Sequence, residues 1–278
     1  MTTAFPSADA RAGALADVAV LMPAYNAQAD VERTLASFRE DAPIYALIVD
    51  DGSTPPLVAP ERPAMTVEIV RMPNNVGIER ALAAGIDALA ARGFRYAARI
   101  DAGDLAAAGR LARQRARMAA SPSLAALGTW TQVVDRQGAP LFMLTPPADP
   151  RELRRTRFLR SPLVHPSVML RIEAVRAVGN YRADYPAAED LDLFLRLMAR
   201  YDCANLPELG LYYELNDGGI SATRRRRQIV STLRLQLRYF DALNGADWAG
   251  VAKTLLHFVT PYRALRAMKR ALFGRAPF

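Results

Sequence analysis

The chain has 278 residues, enough for one large domain or a domain with an appendage, and 51% of its residues are apolar. The sequence contains no run of about 18 uncharged apolar residues, so we expect no membrane-spanning helix. It shows no early basic segment followed by an apolar run, and no secretory signal is expected. The single cysteine, Cys203, excludes an internal disulfide and suits a reducing cytoplasm.

The net charge of +8 is concentrated near the C-terminal end. Residues 224–278 hold 12 of the 36 Lys and Arg residues but only 2 of the 28 Asp and Glu residues, a local charge of +10. The first 223 residues therefore carry a net charge of −2. A near-neutral body with a basic end predicts that this end meets an anionic surface, either a membrane or a nucleic acid.

The first half of the chain alternates strand and helix patterns, which is typical of a sheet built from βαβ units. Runs rich in Val, Ile and aromatic residues predict strands at 18–22, 44–49, 66–71 and 96–100. Residues at helical spacing predict the intervening helices: Val31, Leu35, Phe38, Ile78, Leu82, Ile86, Leu89, Leu111 and Met118.

The pattern changes after about residue 124. Strands are predicted at 125–134, 167–170 and 211–215, and an apolar stripe predicts a helix at 187–200. From residue 224 onward the chain is predicted to be helical to its end.

Carboxylates follow two of the predicted strands. Asp50 and Asp51 lie where strand 44–49 gives way to a Gly-Ser turn, and Asp101 and Asp104 lie in a Gly-containing turn after strand 96–100. In open α/β sheets, ligands bind beyond the carboxyl ends of strands. Two carboxylates in one tight turn can bind a hard cation such as Mg²⁺ or Mn²⁺. The alternative is that each turn is a solvated cap for the segment that follows.

A further pair of carboxylates, Glu189 and Asp190, begins the predicted helix at 187–200. The helix dipole favours carboxylates in a first turn, so this pair has an ordinary structural explanation. The same dipole predicts an ionised Asp190, which can accept a proton from a hydroxyl group. Both interpretations remain open from the residues alone.

Three other features have weaker signals. Asn75 and Gly77 lie in a turn before a helix whose N-terminal amides can face a phosphate. His165, between two prolines, is either structural or catalytic, whereas His257 is expected to be packed. The arginines at 224–227 are either solvated or in contact with phosphates.

Six stretches, taken in order, are 20–26, 49–53, 75–78, 99–104 with Arg110, Leu111 and Gln114, 165–169 with 178–181, and 188–196. Together they resemble the family 2 glycosyltransferases from about residue 18 to about residue 228. The resemblance implies the GT-A fold, an α/β fold with a Rossmann-like central mixed sheet flanked by helices. It divides the chain into a mobile leader (1–16), a GT-A domain (17–223) and a basic helical C-terminal extension (224–278).

The resemblance also implies roles for individual residues. Contacts to the donor nucleotide are implied for Pro23, Ala24, Tyr25, Asn26, Asp50, Asp51, Asn75, Gly77, Arg80 and Asp101. A divalent metal, Mn²⁺ or Mg²⁺, is expected at Asp101 and Asp104, although relatives often carry aspartate where this chain has Gly103. Asp190 is expected to be the general base, with His165 and Glu189 on the acceptor and phosphate side, so that all these groups converge around one cleft.

The expected reaction moves a sugar from a nucleotide-diphosphate donor, most simply a UDP-sugar, to a hydroxyl acceptor. The acceptor is expected to be a saccharide or a polyprenyl-linked sugar of bacterial polysaccharide assembly. A single displacement inverts the anomeric carbon. Gly103 keeps a non-catalytic nucleotide-sugar-binding protein as the alternative function.

The expected location is the cytoplasm. Residues 260–278 predict a basic amphipathic helix, which either lies on the inner face of the cell membrane or packs on the domain. A nucleic-acid partner is not expected, because the basic segment has little aromatic interleaving and the body is slightly acidic.

Overall fold

The computed structural model describes residues 13–215 and 225–260. In chain order the elements are β1 (Val18–Ala24), α1 (Gln28–Ser37), β2 (Ile44–Asp50), β3 (Met65–Arg71), α2 (Ile78–Ala91), β4 (Tyr96–Arg99), β5 (Leu105–Ala106), α3 (Arg110–Ala119), β6 (Leu124–Val134), β7 (Pro140–Leu144), α4 (Pro150–Arg155), β8 (Met169–Arg171), α5 (Ile172–Ala177), α6 (Glu189–Met198), β9 (Asp202–Glu214), α7 (Arg225–Arg238) and α8 (Gly245–Val259). A 3₁₀ turn, His165–Ser167, precedes β8.

Within the described residues, the strands form one nine-stranded mixed sheet in the order β3-β2-β1-β4-β8-β6-β9-β5, with β7 paired to β6. β1 is parallel to β2 and β4, and β2 is parallel to β3. The carboxyl ends of these strands therefore lie along one edge, where Ala24 pairs with Asp50 and Leu21 pairs with Arg99. β8 runs antiparallel to β4 and begins the mixed half of the sheet.

The sheet separates two apolar cores. Every residue of β1 is buried, as expected for a parallel strand covered on both faces. Val18, Val20 and Met22 face a core shared with α1 and α3. Ala19 and Leu21 face the other core, which is shared with α2, α5 and α6. This alternation with a period of two places helices on both faces and leaves the strand ends open for a site.

The α/β class and the predicted parallel strands are confirmed, with strand ends within two residues of prediction. The three predicted helices between them are present as α1, α2 and α3. The long predicted helix near residue 187 corresponds to α6. The helices were recognisable from apolar residues at helical spacing, and the parallel strands from short continuous apolar runs.

The prediction for the last strand was too short. β9 begins at Asp202 rather than 211 and pairs with β6 in parallel along its length. Polar Glu208 and Gly210 interrupt its apolar pattern, and register shifts at Thr129 to Thr131 accommodate the interruption. A Cβ atom on Gly210 would lie 2.4 Å from Thr129 Oγ1, so glycine permits this close approach.

The C-terminal region is helical in its described part, in agreement with the prediction for residues 224 onward. The predicted amphipathic helix after residue 260 and most of the predicted leader lie outside the described residues. In the stretches 13–215 and 225–260, none of the helices combines the length and the apolar character required to cross a membrane.

Candidate functional site

A cavity of about 310 Å³ opens at the carboxyl ends of β1 and β2. Its lining residues are Pro23, Ala24, Tyr25, Asp51, Asn75, Gly77, Ile78 and Ala81. Six of these eight are residues that the sequence assigned to donor binding. The volume lies at the lower end of the range for ligand pockets. Tyr25 is half exposed at this site, so its ring is available to a planar ligand.

Asp51 connects this cavity to the loop before α2. Its Oδ1 accepts a hydrogen bond from the Val76 N–H (2.8 Å), and its Oδ2 accepts one from the Gly77 N–H (3.1 Å). A Cβ atom on Gly52 would lie 2.4 Å from the Asn74 carbonyl carbon, so the glycine lets the two loops touch. Because each carboxylate oxygen has two lone pairs, Asp51 retains acceptor capacity toward the cavity.

Asp50, although adjacent, holds its own turn together. It is fully buried and accepts hydrogen bonds from the N–H groups of Ser53 (2.8 Å) and Leu57 (3.3 Å). Arg71 Nη1 lies 2.7 Å from Asp50 Oδ2. Burial acts to raise the pKa of Asp50, but the hydrogen bonds from Ser53 and Leu57 and the Arg71 charge outweigh it and lower the pKa. The carboxylate is therefore ionised and engaged within the protein.

Two other residues predicted to bind the donor lie outside the wall of this cavity. The Asn26 N–H donates to Ser53 Oγ (2.9 Å), and Asn26 Oδ1 accepts from the Thr54 N–H (2.9 Å). These two hydrogen bonds show that Asn26 stabilises the turn after β2. Arg80 is exposed on the first turn of α2.

The two carboxylates after β4 are held differently. Asp101 Oδ1 lies 2.6 Å from Arg99 Nη2. Asp104 Oδ1 accepts from the Glu214 N–H (3.2 Å), whereas its buried Oδ2 has no hydrogen-bond partner among the described residues. Burial and the negative charge of Asp101 raise the pKa of Asp104 well above its usual value. An orphaned carboxylate oxygen beside a second carboxylate has the chemistry of a cation ligand.

This pair fits a cation that completes its coordination with substrate. In the described part of the chain, no group of three or more His, Cys, Asp or Glu side chains could hold a metal ion. Mg²⁺, however, is commonly bound by one or two carboxylates plus substrate phosphates. Asp101 and Asp104 therefore fit such an ion. The Gly103 N–H donates to Thr34 Oγ1 (2.8 Å) and fixes the turn.

Arg99 is a site residue that sequence reasoning did not assign. Its side chain is 1% exposed, and its Nε and Nη1 have no hydrogen-bond partner among the residues described. Burial acts to lower its pKa, but the Asp101 charge outweighs burial and raises it, so Arg99 remains cationic. A charged residue at the end of the apolar strand Tyr96–Arg99 was the available signal.

The positive charge of Arg99 acts on Glu189 and Asp190, the carboxylates at the beginning of α6. Burial raises the pKa of Asp190, while the Leu191 N–H (2.7 Å from Asp190 Oδ1) and Arg99 act in the opposite direction. The helix dipole by itself favours ionised Asp190, but burial of the carboxylate raises its pKa. Burial and the Asp190 charge raise the pKa of Glu189 to about 7. The two carboxylates therefore titrate as a coupled pair.

His165 is buried, and the charge of Arg99 acts on it as well. Its Nε2 lies 2.9 Å from the Tyr181 hydroxyl oxygen. Burial and the nearby Arg99 charge lower the pKa of His165 well below its usual value. His165 is therefore a neutral ring that contacts Tyr181 and packs against Phe194.

Asp190 also lines a second cavity of about 250 Å³, next to the C-terminal helices. The lining residues are Arg157, Phe158, Leu159, Arg160, Ser161, Ala187, Ala188, Asp190, Leu191, Gln228, Thr232, Gln236, Lys253, Thr254 and His257. The sequence predicted that all the functional carboxylates share one cleft. Asp51 lines the first cavity and Asp190 the second, and the charges of Arg99 and Asp101 act on Asp190. The shared cleft stays a prediction.

The mixed sheet, its open carboxyl edge and the acidic turn after β4 define the class of protein: this is the GT-A fold of glycosyltransferases. The model of the family described as glycosyl transferase family 2 matches residues 19–178. That match spans more than half of the chain, so the protein belongs to this family and is a glycosyltransferase. A search of curated protein sequences found no match.

Two solved structures illustrate the likeness of fold. S. aureus TarS 1-349 in complex with UDP-GlcNAc is 15% identical, with a TM-score of 0.64, over 92% of this chain and 76% of that chain. The mannosyltransferase PcManGT from Pyrobaculum calidifontis, in complex with GDP-Man and Mn²⁺, is 18% identical, with a TM-score of 0.59, over 92% of this chain and 80% of that chain. At these identities the likeness establishes the shared fold.

Proposed function

We propose that this glycosyltransferase moves a sugar from a nucleotide-diphosphate donor to a hydroxyl acceptor, with inversion at the anomeric carbon. The observation that carries the proposal is the grouping of six expected donor residues around the cavity at the carboxyl ends of β1 and β2. The TarS structures contain UDP-GlcNAc or UDP, and PcManGT contains GDP-Man. We take a UDP-sugar as the donor to be tested first, since the imide N–H of uracil can donate a hydrogen bond to the Asp51 carboxylate.

In this proposal, Asp51 and Tyr25 hold the nucleobase. The carboxylate accepts a hydrogen bond from the base while it remains bonded to the loop before α2. The half-exposed Tyr25 ring stacks on the face of the base. Asn75 and Gly77 place the beginning of α2 toward the phosphates, where a helix N-terminus favours negative charge.

Asp101 and Asp104 would hold Mn²⁺ or Mg²⁺. When bound there, the ion supplies stabilisation of the negative charge on the departing diphosphate. Asp104 Oδ2 has no hydrogen-bond partner among the residues that the structure describes, and this supports the assignment, because a buried carboxylate oxygen without a partner is costly. The Arg99–Asp101 ion pair (2.6 Å) keeps the Asp101 carboxylate in position.

The metal assignment is tested by Mn²⁺ titration, with electron paramagnetic resonance reporting the free ion in the presence of UDP. The Asp104→Asn variant is expected to bind Mn²⁺ at least tenfold more weakly than the unmodified protein. Asp87→Asn, which removes an exposed carboxylate from α2, is the matched control. Equal affinity in the protein and in Asp104→Asn would contradict the assignment.

Asp190 acts as the general base for the acceptor hydroxyl. The hydroxyl proton passes to the Asp190 carboxylate while the oxygen attacks the anomeric carbon. The bond from that carbon to the diphosphate oxygen breaks, and the leaving group takes the electron pair. One displacement from the opposite face inverts the configuration. A raised pKa suits this role, because a general base works best when its pKa lies near the operating pH.

The acceptor is proposed to be a saccharide or polyprenyl-linked sugar at an anionic membrane surface. The outer side of α8 supports this, because Trp248, Leu255, Leu256 and Val259 are exposed there, between 46% and 73%. The inner side buries Gly250 and Thr254. A basic region with an apolar helix face is typical of proteins that lie on membrane surfaces.

Vesicle flotation tests this location. The protein is expected to float with vesicles of phosphatidylcholine and phosphatidylglycerol but not with phosphatidylcholine alone. Leu255→Glu should reduce recovery, whereas Val58→Glu, a change at an exposed residue of the loop after β2, should not. Truncation after residue 259 separates a contribution of α8 from that of the basic segment beyond it. Equal recovery of all variants with both vesicle types would reject the membrane contact.

The proposed reaction is tested by a thermal-shift screen of nucleotide sugars with and without Mn²⁺, followed by an assay of nucleotide release. We expect a UDP-sugar to raise the melting temperature and Mn²⁺ to increase that shift. Failure of every nucleotide sugar to bind would contradict the proposal. Binding of a donor without hydrolysis or transfer, across a panel of acceptors, would favour a non-catalytic nucleotide-sugar-binding protein.

A further inference from the structure

We propose that the second cavity is the acceptor site, a pocket for the neutral ring of a glycoside whose hydroxyl groups are bound by α7. This inference rests on the proposed function, because it takes Asp190 as the base. Asp190 lies on the wall of this cavity, and the charges of Asp101 and Arg99 also act on it. A hydroxyl group bound in this cavity would therefore lie beside the proposed base.

One side of α7 presents a polar stripe to this cavity. Gln228, Thr232 and Gln236 are spaced four residues apart, which places them on the same side of a helix. Their amide and hydroxyl groups both donate and accept hydrogen bonds. Sugar hydroxyls have the same dual capacity, so the stripe matches the hydrogen-bonding pattern of a sugar ring.

Gln236 gives independent support for a ligand. Its side chain is 1% exposed, and its Oε1 is buried without a hydrogen-bond partner among the described residues. A buried acceptor without a hydrogen-bond partner destabilises the protein. A hydroxyl group of a ligand in the cavity would donate to this oxygen and remove that destabilisation.

The charged groups of the wall indicate a neutral ligand. Arg157 is paired with Asp247, and Arg160 Nη2 lies 3.0 Å from Glu152 Oε1. Lys253 Nζ donates to the Leu159 carbonyl oxygen (2.6 Å). Because these cations are already bonded within the protein, an acidic group on the ligand would have to break existing contacts.

The position of α8 agrees with a glycoside that has an apolar aglycone. The inner side of this helix contributes Lys253, Thr254 and His257 to the cavity, while its outer side exposes Trp248 and Leu255. The cavity, smaller than most drug-sized pockets, suits one ring rather than an oligosaccharide. A sugar in the cavity would thus lie next to the surface proposed to meet the membrane.

The proposal is tested by saturation-transfer NMR with methyl glycosides of glucose, galactose, mannose and rhamnose, in the presence of UDP. We expect at least one of them to bind the unmodified protein. Gln236→Met keeps the side-chain volume but removes both polar atoms, and Thr232→Val removes one hydroxyl. Each is expected to raise the dissociation constant of the glycoside about tenfold.

A matched pair of helix-surface variants controls for folding. Gln228→Trp fills the cavity and should abolish glycoside binding. Val230→Trp adds a ring at an exposed position of the same helix and should leave binding unchanged. The thermal shift produced by the UDP-sugar should be the same in both variants, because the donor cavity is lined by other residues.

Three results would overturn the acceptor site: no methyl glycoside binds, binding persists in both Gln228→Trp and Gln236→Met, or methyl glucuronide binds in preference to the neutral glycosides. Failure of the proposed function is distinguishable. In that case the UDP-sugar produces no thermal shift in the unmodified protein, whatever the glycosides do.

Discussion

The two cavities are formed by different parts of the chain and by different kinds of structural element. The donor cavity is formed by strand ends and loops of the N-terminal half, and its principal carboxylate, Asp51, is held by backbone N–H groups. The proposed acceptor cavity is formed by residues 157–161, Ala187, Ala188 and side chains of α6, α7 and α8. The family match ends at residue 178, so it covers the whole donor cavity but little of the other. The residues of the donor cavity thus lie in the part of the chain that the family model matches, whereas most residues of the second cavity lie beyond it.

The largest effect on turnover is expected for substitution of Asp190, which should affect catalysis without affecting the donor cavity. Asp190→Asn is expected to lower turnover on the order of 10²–10⁴-fold, because the acceptor hydroxyl loses its base. Donor affinity, measured by calorimetry, should stay unchanged. Asp192→Asn is the control on the same helix: it removes the ion pair with Arg196 and lowers stability, but it should preserve turnover per folded molecule. Unchanged turnover in Asp190→Asn would end the assignment.

A second prediction concerns the donor cavity. Asp51→Asn is expected to raise the dissociation constant of the UDP-sugar by about 10–100-fold, because hydrogen bonds to a charged group contribute about 1.5–3 kcal/mol. Turnover at saturating donor should change much less. If donor affinity measured by calorimetry is unaffected, Asp51 does not contact the nucleotide.

The neighbouring carboxylate should behave in the opposite way. Asp50→Asn is expected to lower the free energy of unfolding by about 1–3 kcal/mol, because it weakens the contacts to Ser53, Leu57 and Arg71. The pKa of Asp50 is lowered by folding, so its contribution is present above the unfolded pKa and is lost as the pH falls through the folded value. Urea unfolding at neutral and acidic pH measures both effects. Equal stability of the variant and the parent would contradict this role.

The smallest expected effect is a change in pH dependence. Ionised Glu189 makes Asp190 a stronger base, so the turnover number should rise as the pH increases through about 7. Glu189→Gln should remove this inflection from the profile. Glu173→Gln, at an exposed carboxylate of α5, should keep it. Persistence of the inflection in Glu189→Gln would assign it to another group.

Much of the donor side was predictable because its signals are local. The strands at 18–24 and 44–50 are continuous apolar runs followed by turn residues, and such runs identify parallel strands and their carboxyl ends. The residues at those ends then become candidates for a site by position alone. Six of the ten residues assigned in this way line one cavity.

The acceptor side was less predictable because its groups come from distant segments. Residues near 157 and helices near 190, 230 and 254 all contribute to one wall. The sequence shows that polar residues lie along one side of α7, but it does not show which surface that side faces. The first half of β9 was also missed, because β-bulges beside Gly210 disrupt the alternation that identifies a strand.

The sequence by itself determined the α/β class, the parallel half of the sheet and the carboxylates at its open edge, because helix and strand periodicity depend on neighbouring residues. Only the tertiary structure decided that Asp51 faces a cavity while Asp50 braces a turn, and that Arg99 is buried beside Asp101. Burial, pairing and pKa depend on groups that are far apart in the chain, and folding alone brings those groups together.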